Sequence, residues 1–282
     1  MSTPDLNRLT LNAGSDYPSD RFNDNVQFLH IETTASFKKY WTDIYRLRNL
    51  TNFTVHYIGS DDKPDLNAFF NILKNNSKLQ HVDINIEYQS TPEAEWPLKS
   101  PVELSQLKYL SLKLNRWEDA EYMISRILIM IPKDEGIKVA ISCPRDCNIP
   151  LNDALKSIKD FASSLTEMTM DFLDEDPGIK WDGKNGQLHL SCVSHEDMCA
   201  ALAGDCPLLS CKNITSLKLK PGCSSPLLKP NASLFTALET MYVDGLKEIS
   251  IDNKTELEEF AGSLYLCYSM PLGEGRRVWR RL

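Results

Sequence analysis

His195-Glu196-x-x-Cys199 falls one residue short of the His-Glu-x-x-His helix that holds zinc. Ligands four residues apart do share a helix face, and Cys192 and Cys206 lie nearby. Structural zinc sites pair their cysteines across two to four residues, however. Cys199 and Cys206 read instead as small core residues of one helix. Cys143-x-x-x-Cys147 has no second pair at a matching distance. The acidic run Asp171, Asp174, Glu175, Asp176 lacks the alternating oxygen ligands, central glycine and distant glutamate of a calcium loop, and reads as a solvated turn. Trp181-Asp182-Gly183-Lys184-Asn185-Gly186 has turn chemistry rather than that of a phosphate-cradling loop. No nucleophile elbow, dinucleotide fingerprint or Walker loop occurs. The expectation is a chain that is not an enzyme and takes neither metal nor cofactor. Catalysis would need a pocket between the segments near Cys143 and Trp181.

Composition narrows the partner classes. The 282 residues are 42% hydrophobic, enough for a core, and carry a formal net charge of −8. That balance disfavours nucleic acid and anionic membrane, which need clustered cations. The one basic cluster, Arg276, Arg277, Arg280 and Arg281, reads as a short solvated tail rather than a phosphate patch. Met1 to Asp5 are polar with no apolar run behind them, so no secretory signal is expected. The greasiest stretch, Met123 to Ile131, is interrupted by Arg126 and is too short for a bilayer. A cytoplasmic or nuclear location follows, with the 8 cysteines as thiols. The sequons at Asn49, Asn52, Asn75, Asn213, Asn231 and Asn253 would then go unmodified.

The elements that would position any binding residue come from a repeated frame, L-x-x-L-x-L. Its middle apolar residues are Leu9, Leu29, Phe53, Val82, Leu110, Val139, Met168, Leu188, Leu217 and Met241. The steps range from 20 residues (Leu9 to Leu29) to 29 (Phe53 to Val82), the spacing of a leucine-rich repeat built of one strand and a returning helix. Helices are expected from Ser36 to Leu47, after Asp65, from Trp117 to Ile131, after Pro150, from His195 to Gly204 and from Thr255 to Leu266. Leu246-Ile249-Ile251 reads as a further tight strand. Asn115 alone supplies the frame's usual turn asparagine. The fold class is therefore α/β: an irregular leucine-rich-repeat solenoid, its parallel sheet on the concave face and its helices on the convex face. Residues 1–5 form a short tail, 6–266 the repeat domain and 267–282 a basic tail.

Alternation along each strand turns the intervening residues away from the core. The central outward row is Thr10, His30, Thr54, Asp83, Ser111, Ala140, Thr169, His189, Lys218 and Tyr242. Phe28, Asn52, His81, Tyr109, Lys138 and Glu167 flank it on one side, and Glu32, His56, Asn85, Lys113, Asp171 and Lys220 on the other. His30, His56 and His81 fall on neighbouring strands, within reach of one another for a polar or pH-sensitive cluster. The expected partner-binding residues are Phe28, His30, Thr54, His56, His81, Asp83, Tyr109, Ser111, Lys138, Thr169, His189, Lys218 and Tyr242, with the aromatics as anchors.

The frames Leu79-Gln-His-Val82-Asp-Ile84, Leu107-Lys-Tyr-Leu110-Ser-Leu112 and Leu165-Thr-Glu-Met168-Thr-Met170 resemble the leucine-rich-repeat region of fungal F-box-type proteins. The resemblance implies a protein-binding module that presents substrates to a cullin–RING ubiquitin ligase. The family docks its Skp1-type adaptor through an N-terminal F-box, which starts at a Leu-Pro pair. None precedes Leu6, so adaptor and cullin would be partners only if an F-box were supplied upstream. The alternative is a stand-alone repeat scaffold or inhibitor, unconnected to ubiquitin ligases.

Overall fold

Tyr109-Leu110-Ser111-Leu112-Lys113-Leu114 alternates strictly, and a period of two suits only a strand with one buried face. The computed structural model describes residues 7–12, 22–33, 41–58, 66–87, 102–114, 117–128, 136–142, 158–172, 177–203, 211–220, 228, 230–245, 250–264, 266–269 and 276–281. The protein is α/β with mostly parallel strand pairing, and the chain divides into two compact units, Met1–Val139 and Ala140–Leu282.

In the first unit, β1 (Arg8–Asn12), β2 (Phe28–Thr33), β3 (Asn52–Ile58) and β4 (His81–Glu87) pair in sequence order, all parallel. A short β5 (Val102–Glu103) pairs instead with β7 (Ile127–Leu128). β6 (Tyr109–Leu114) continues the main run, in parallel beside β4. Leu9, Leu29, Phe53, Val82 and Leu110 stand directly opposite one another in register, as the repeated frame requires. β8 (Ile137–Ser142) crosses the division between the units.

β2, β3, β4 and β6 start the same way. The carbonyl of Asn7 accepts from the amides of Gln27 and Phe28, at 2.8 and 2.9 Å. Gln27 does the same for Thr51 and Asn52, Thr51 for Gln80 and His81, and Gln80 for Lys108 and Tyr109. One shared acceptor just ahead of each strand thus sets the register of the next. The inward residues are sealed: Phe53, Val82, Ile84 and Leu110 are each 0% exposed. Helix Leu66–Asn75 packs on this side, with Phe69 against Phe53 at 6.4 Å between ring centres. Burial of each such side chain contributes on the order of 2 kcal/mol.

In the second unit, β9 (Glu167–Asp171), β12 (Ser216–Lys220) and β13 (Thr240–Val243) pair in parallel. They share the same entrance: the Thr166 carbonyl accepts from Thr215 and Ser216, and that of Thr215 from Glu239 and Thr240. β10 (Gly178–Gly183) and β11 (Gly186–Ser191) form an antiparallel hairpin beside β9. β14 (Leu266–Ser269) and β15 (Arg277–Arg281) are antiparallel too, with β15 against β13.

Four expectations change. The segment read as a turn around Trp181 is β10: Trp181 is 2% exposed, and the turn shrinks to Lys184-Asn185 between two strands. A side chain at Gly178 would lie 2.6 Å from the Leu190 carbonyl oxygen, so the hairpin closes only around glycine. The basic tail is not solvated throughout, because β15 buries Val278 and Trp279. Ile251 is no strand residue; Ser250 caps a helix Ile251–Ser263 by accepting from the Asn253 amide, which leaves Ile251 79% exposed. The helix at Trp117 stops at Arg126, where β7 takes up the backbone groups of Ile127 and Leu128. Helices are also present at Trp41–Ile44, Lys159–Ser163 and His195–Ala203. Asp65, Asn115, Pro150, Leu246 and Ile249 lie outside the described residues. Among the described residues no helix is long and apolar enough to cross a membrane.

One polar side chain is sealed inside the first unit. Asn76 is 0% exposed; its Oδ1 accepts from the Leu50 amide at 2.9 Å, and its Nδ2 donates to the carbonyls of Leu47 and Ile72 at 3.1 and 2.8 Å. It ties the end of one helix to the strand entrance before it. Replacing it leaves a buried amide and two buried carbonyls unsatisfied. Asn76→Ala is expected to cost about 3 kcal/mol, read as a lower urea midpoint at unchanged slope. Asn75→Ala next to it should stay within about 0.5 kcal/mol.

Candidate functional site

Parallel sheets normally carry helices on both faces and read as unbroken apolar runs. The first unit does not. Between the sealed inward residues of β2, β3, β4 and β6 stand His30, Thr54, Asp83 and Ser111, all only half-buried. They face one another across adjacent strands, with Thr10 ahead of them on β1. Phe28, Asn52, His81 and Tyr109 form a second row, aligned at the strand starts. Glu32, His56, Asn85 and Lys113 form a third. These are the rows expected from the sequence.

The histidines separate into two contacts. His30 and His56 meet edge to face, 5.2 Å between ring centres. Each has a carboxylate near its Nε2: Glu32 at 3.9 Å from His30, and Asp83 at 3.7 Å from His56. His81 instead lies at 6.2 Å from the Tyr109 ring, because it begins β4 in the row opposite to that of His56. Phe28 in this second row is 37% exposed, with Arg8 opposite it on β1. Lys138 is exposed on β8, its amide held by the Lys108 carbonyl.

In the second unit the outward row runs His189, Lys180, Thr169, Lys218, Tyr242, Val278. Lys180 separates His189 from Thr169, since the antiparallel β10 inserts between their strands. Three lysines on this face are paired: Lys180 with Asp182 at 3.0 Å, Lys218 with Asp244 at 3.1 Å, Lys220 with Asp171 at 2.5 Å. Arg276 reaches Asp244 from the other side, Nε to Oδ1 at 3.1 Å. Asp244 and Arg276 were absent from the expected set. Both lie just outside a strand, where alternation assigns no face.

His195 opens its helix with its ring 5.8 Å from that of Phe172. Burial pushes the Cys199 thiol up to about 11, which favours the protonated form over the thiolate a metal needs. Cys192 sits at a φ of 60°, its Sγ 3.5 Å from Ser142 Oγ. Cys143 and Cys206 lie outside the described residues.

Burial first, then the charge of His56, lowers the His30 pKa from the ordinary 6.5, with Arg8 adding to this and Glu32 opposing it. The unfolded chain therefore protonates His30 before the folded one does. Its contribution to stability is complete above pH 6.5 and is lost as pH falls below that value. His56→Asn is expected to move the His30 imidazole titration, followed by NMR, back toward 6.5 and to flatten the acid-side loss of stability. A His30 titration unchanged in the variant would contradict the contact.

No protein-family model matches this chain, and no curated protein sequence or solved structure matches it either.

Proposed function

We propose that the outward sheet face of the first unit is a protein-binding surface, and that the strand-and-return units are leucine-rich-repeat-like turns of a solenoid. The observation that carries this reading is the one-sided burial of a wholly parallel sheet: inward residues at no more than 6% exposure alternate with a half-buried to exposed polar face bearing Phe28, His81 and Tyr109. Rigid aromatics on a fixed sheet bind with little loss of conformational freedom, and such residues dominate interface energetics. Solenoids use this face because each unit adds a strand to it without needing a closed core. The narrower form of the proposal is a substrate receptor of an F-box-type ligase, working in the cytoplasm or nucleus. The alternative form is a free-standing scaffold or inhibitor.

Affinity capture from cell lysate, with the wild-type chain beside Tyr109→Ala and Phe28→Ser, tests the reading. A partner retained by the wild type should bind each variant at least tenfold more weakly, equivalent to about 1.4 kcal/mol. Equal retention by all three would remove the proposed face. Adaptor and cullin among the retained proteins would favour the ligase form, and a single unrelated partner the scaffold form.

A further inference from the structure

The C-terminal arginines find a place in the fold that the protein-binding reading of the first unit does not use. A cavity of about 320 Å³ opens on the outward face of the second unit, over β9, β12, β13 and β15. Lys218, Asp244 and Arg276 line it together with the hydroxyl-bearing Thr169, Ser216 and Tyr242. Asp244 is fully engaged: its Oδ2 faces Lys218 Nζ and its Oδ1 faces Arg276 Nε, both at 3.1 Å. Because Arg276 is held through Nε, its Nη groups stay available for a second acceptor. Among the described residues neither Arg276 nor Lys218 has another carboxylate partner. The cavity therefore offers a surplus of donors: a guanidinium fork, the remaining ammonium protons and three hydroxyls.

We infer that this cavity is a binding subsite for a carboxylate. A guanidinium fork matches a carboxylate in two parallel hydrogen bonds, and Lys218 and Tyr242 reach it from the neighbouring strands β12 and β13. Asp244 holds Lys218 and Arg276 in place and halves their charge, the third cation at the wall, Arg277, is paired with Glu258 at 2.6 Å, and the exposed Glu167 repels a second negative charge. That combination selects a singly charged group over a phosphate dianion. The volume lies at the small end of ligand pockets, enough for one acidic side chain or a small organic acid.

The test is an amide-resolved NMR titration of the full chain with three probes: acetyl-glutamate methylamide, butyrate and inorganic phosphate. Saturable shifts at Lys218, Tyr242 and Arg276 with a carboxylate probe are expected. Arg276→Gln, at a side chain that is 61% exposed, should weaken them at least tenfold, while Arg281→Gln should leave them unchanged. Tighter binding of the acetyl-glutamate amide identifies a protein-borne side chain as the natural source, and tighter binding of butyrate a free small acid. No saturation at tens of millimolar, phosphate binding as tightly as carboxylate, or an Arg276→Gln variant that binds normally would overturn the assignment. These readouts need no protein partner, so they stand or fall separately from the reading of the first unit.

Discussion

Parallel neighbours cannot be joined by a tight turn; the chain must leave the sheet and return before the next strand begins. The point of return is therefore where register is decided, and a slip of one residue there would exchange the buried and exposed faces. Here the decision rests on one carbonyl ahead of each strand, shared by two amides of the next. It recurs at Asn7, Gln27, Thr51 and Gln80, and again at Thr166 and Thr215. With that contact in place, Leu29 meets Phe53 and His30 meets Thr54 without further instruction.

The same constraint explains how polar residues are distributed. Inward positions have no water, so the apolar frame tolerates a polar group there only when it is fully bonded, as Asn76 is. Asn253 plays a related part in the second unit, accepting from the Leu228 amide while 2% exposed. Outward positions keep contact with water and can carry charge cheaply. There Lys180, Lys218 and Lys220 each meet an aspartate. Such exposed pairs add little stability, about 0–1 kcal/mol each, and serve mainly to hold side chains in a fixed pattern.

Much of this was legible because a period of two leaves a trace in the residues themselves. Leu9, Leu29, Phe53, Val82 and Leu110 occupy one row in the sequence reading and in the structure. The failures share a cause: local composition outvoted by pairing. Trp181–Gly186 looks like turn chemistry, but its first three residues end β10, whose glycines Gly178 and Gly183 let it lie close to its neighbours. Arg277–Arg281 looks like a charged tail, yet Val278 and Trp279 within it are buried against β13 and β14. Asn76 leaves no trace in the repeated frame, whose asparagine follows the strand, because this one follows the helix. The rows of the candidate face were readable for the same reason as the core. Asp244 and Arg276, at strand margins, were not.

The shared carbonyl separates two kinds of change that look alike in a sequence. Frames of the first unit already differ by nine residues in spacing, 29 for Phe53 to Val82 against 20 for Leu9 to Leu29, while their strands stay aligned. Length in a return costs little, since loop closure depends only on its logarithm. A single residue added between Thr51 and Phe53 is another matter, for it would send His56 inward and Val55 out. Returns of new lengths are thus tolerated by the fold, while the steps from carbonyl to strand act as a fixed ruler.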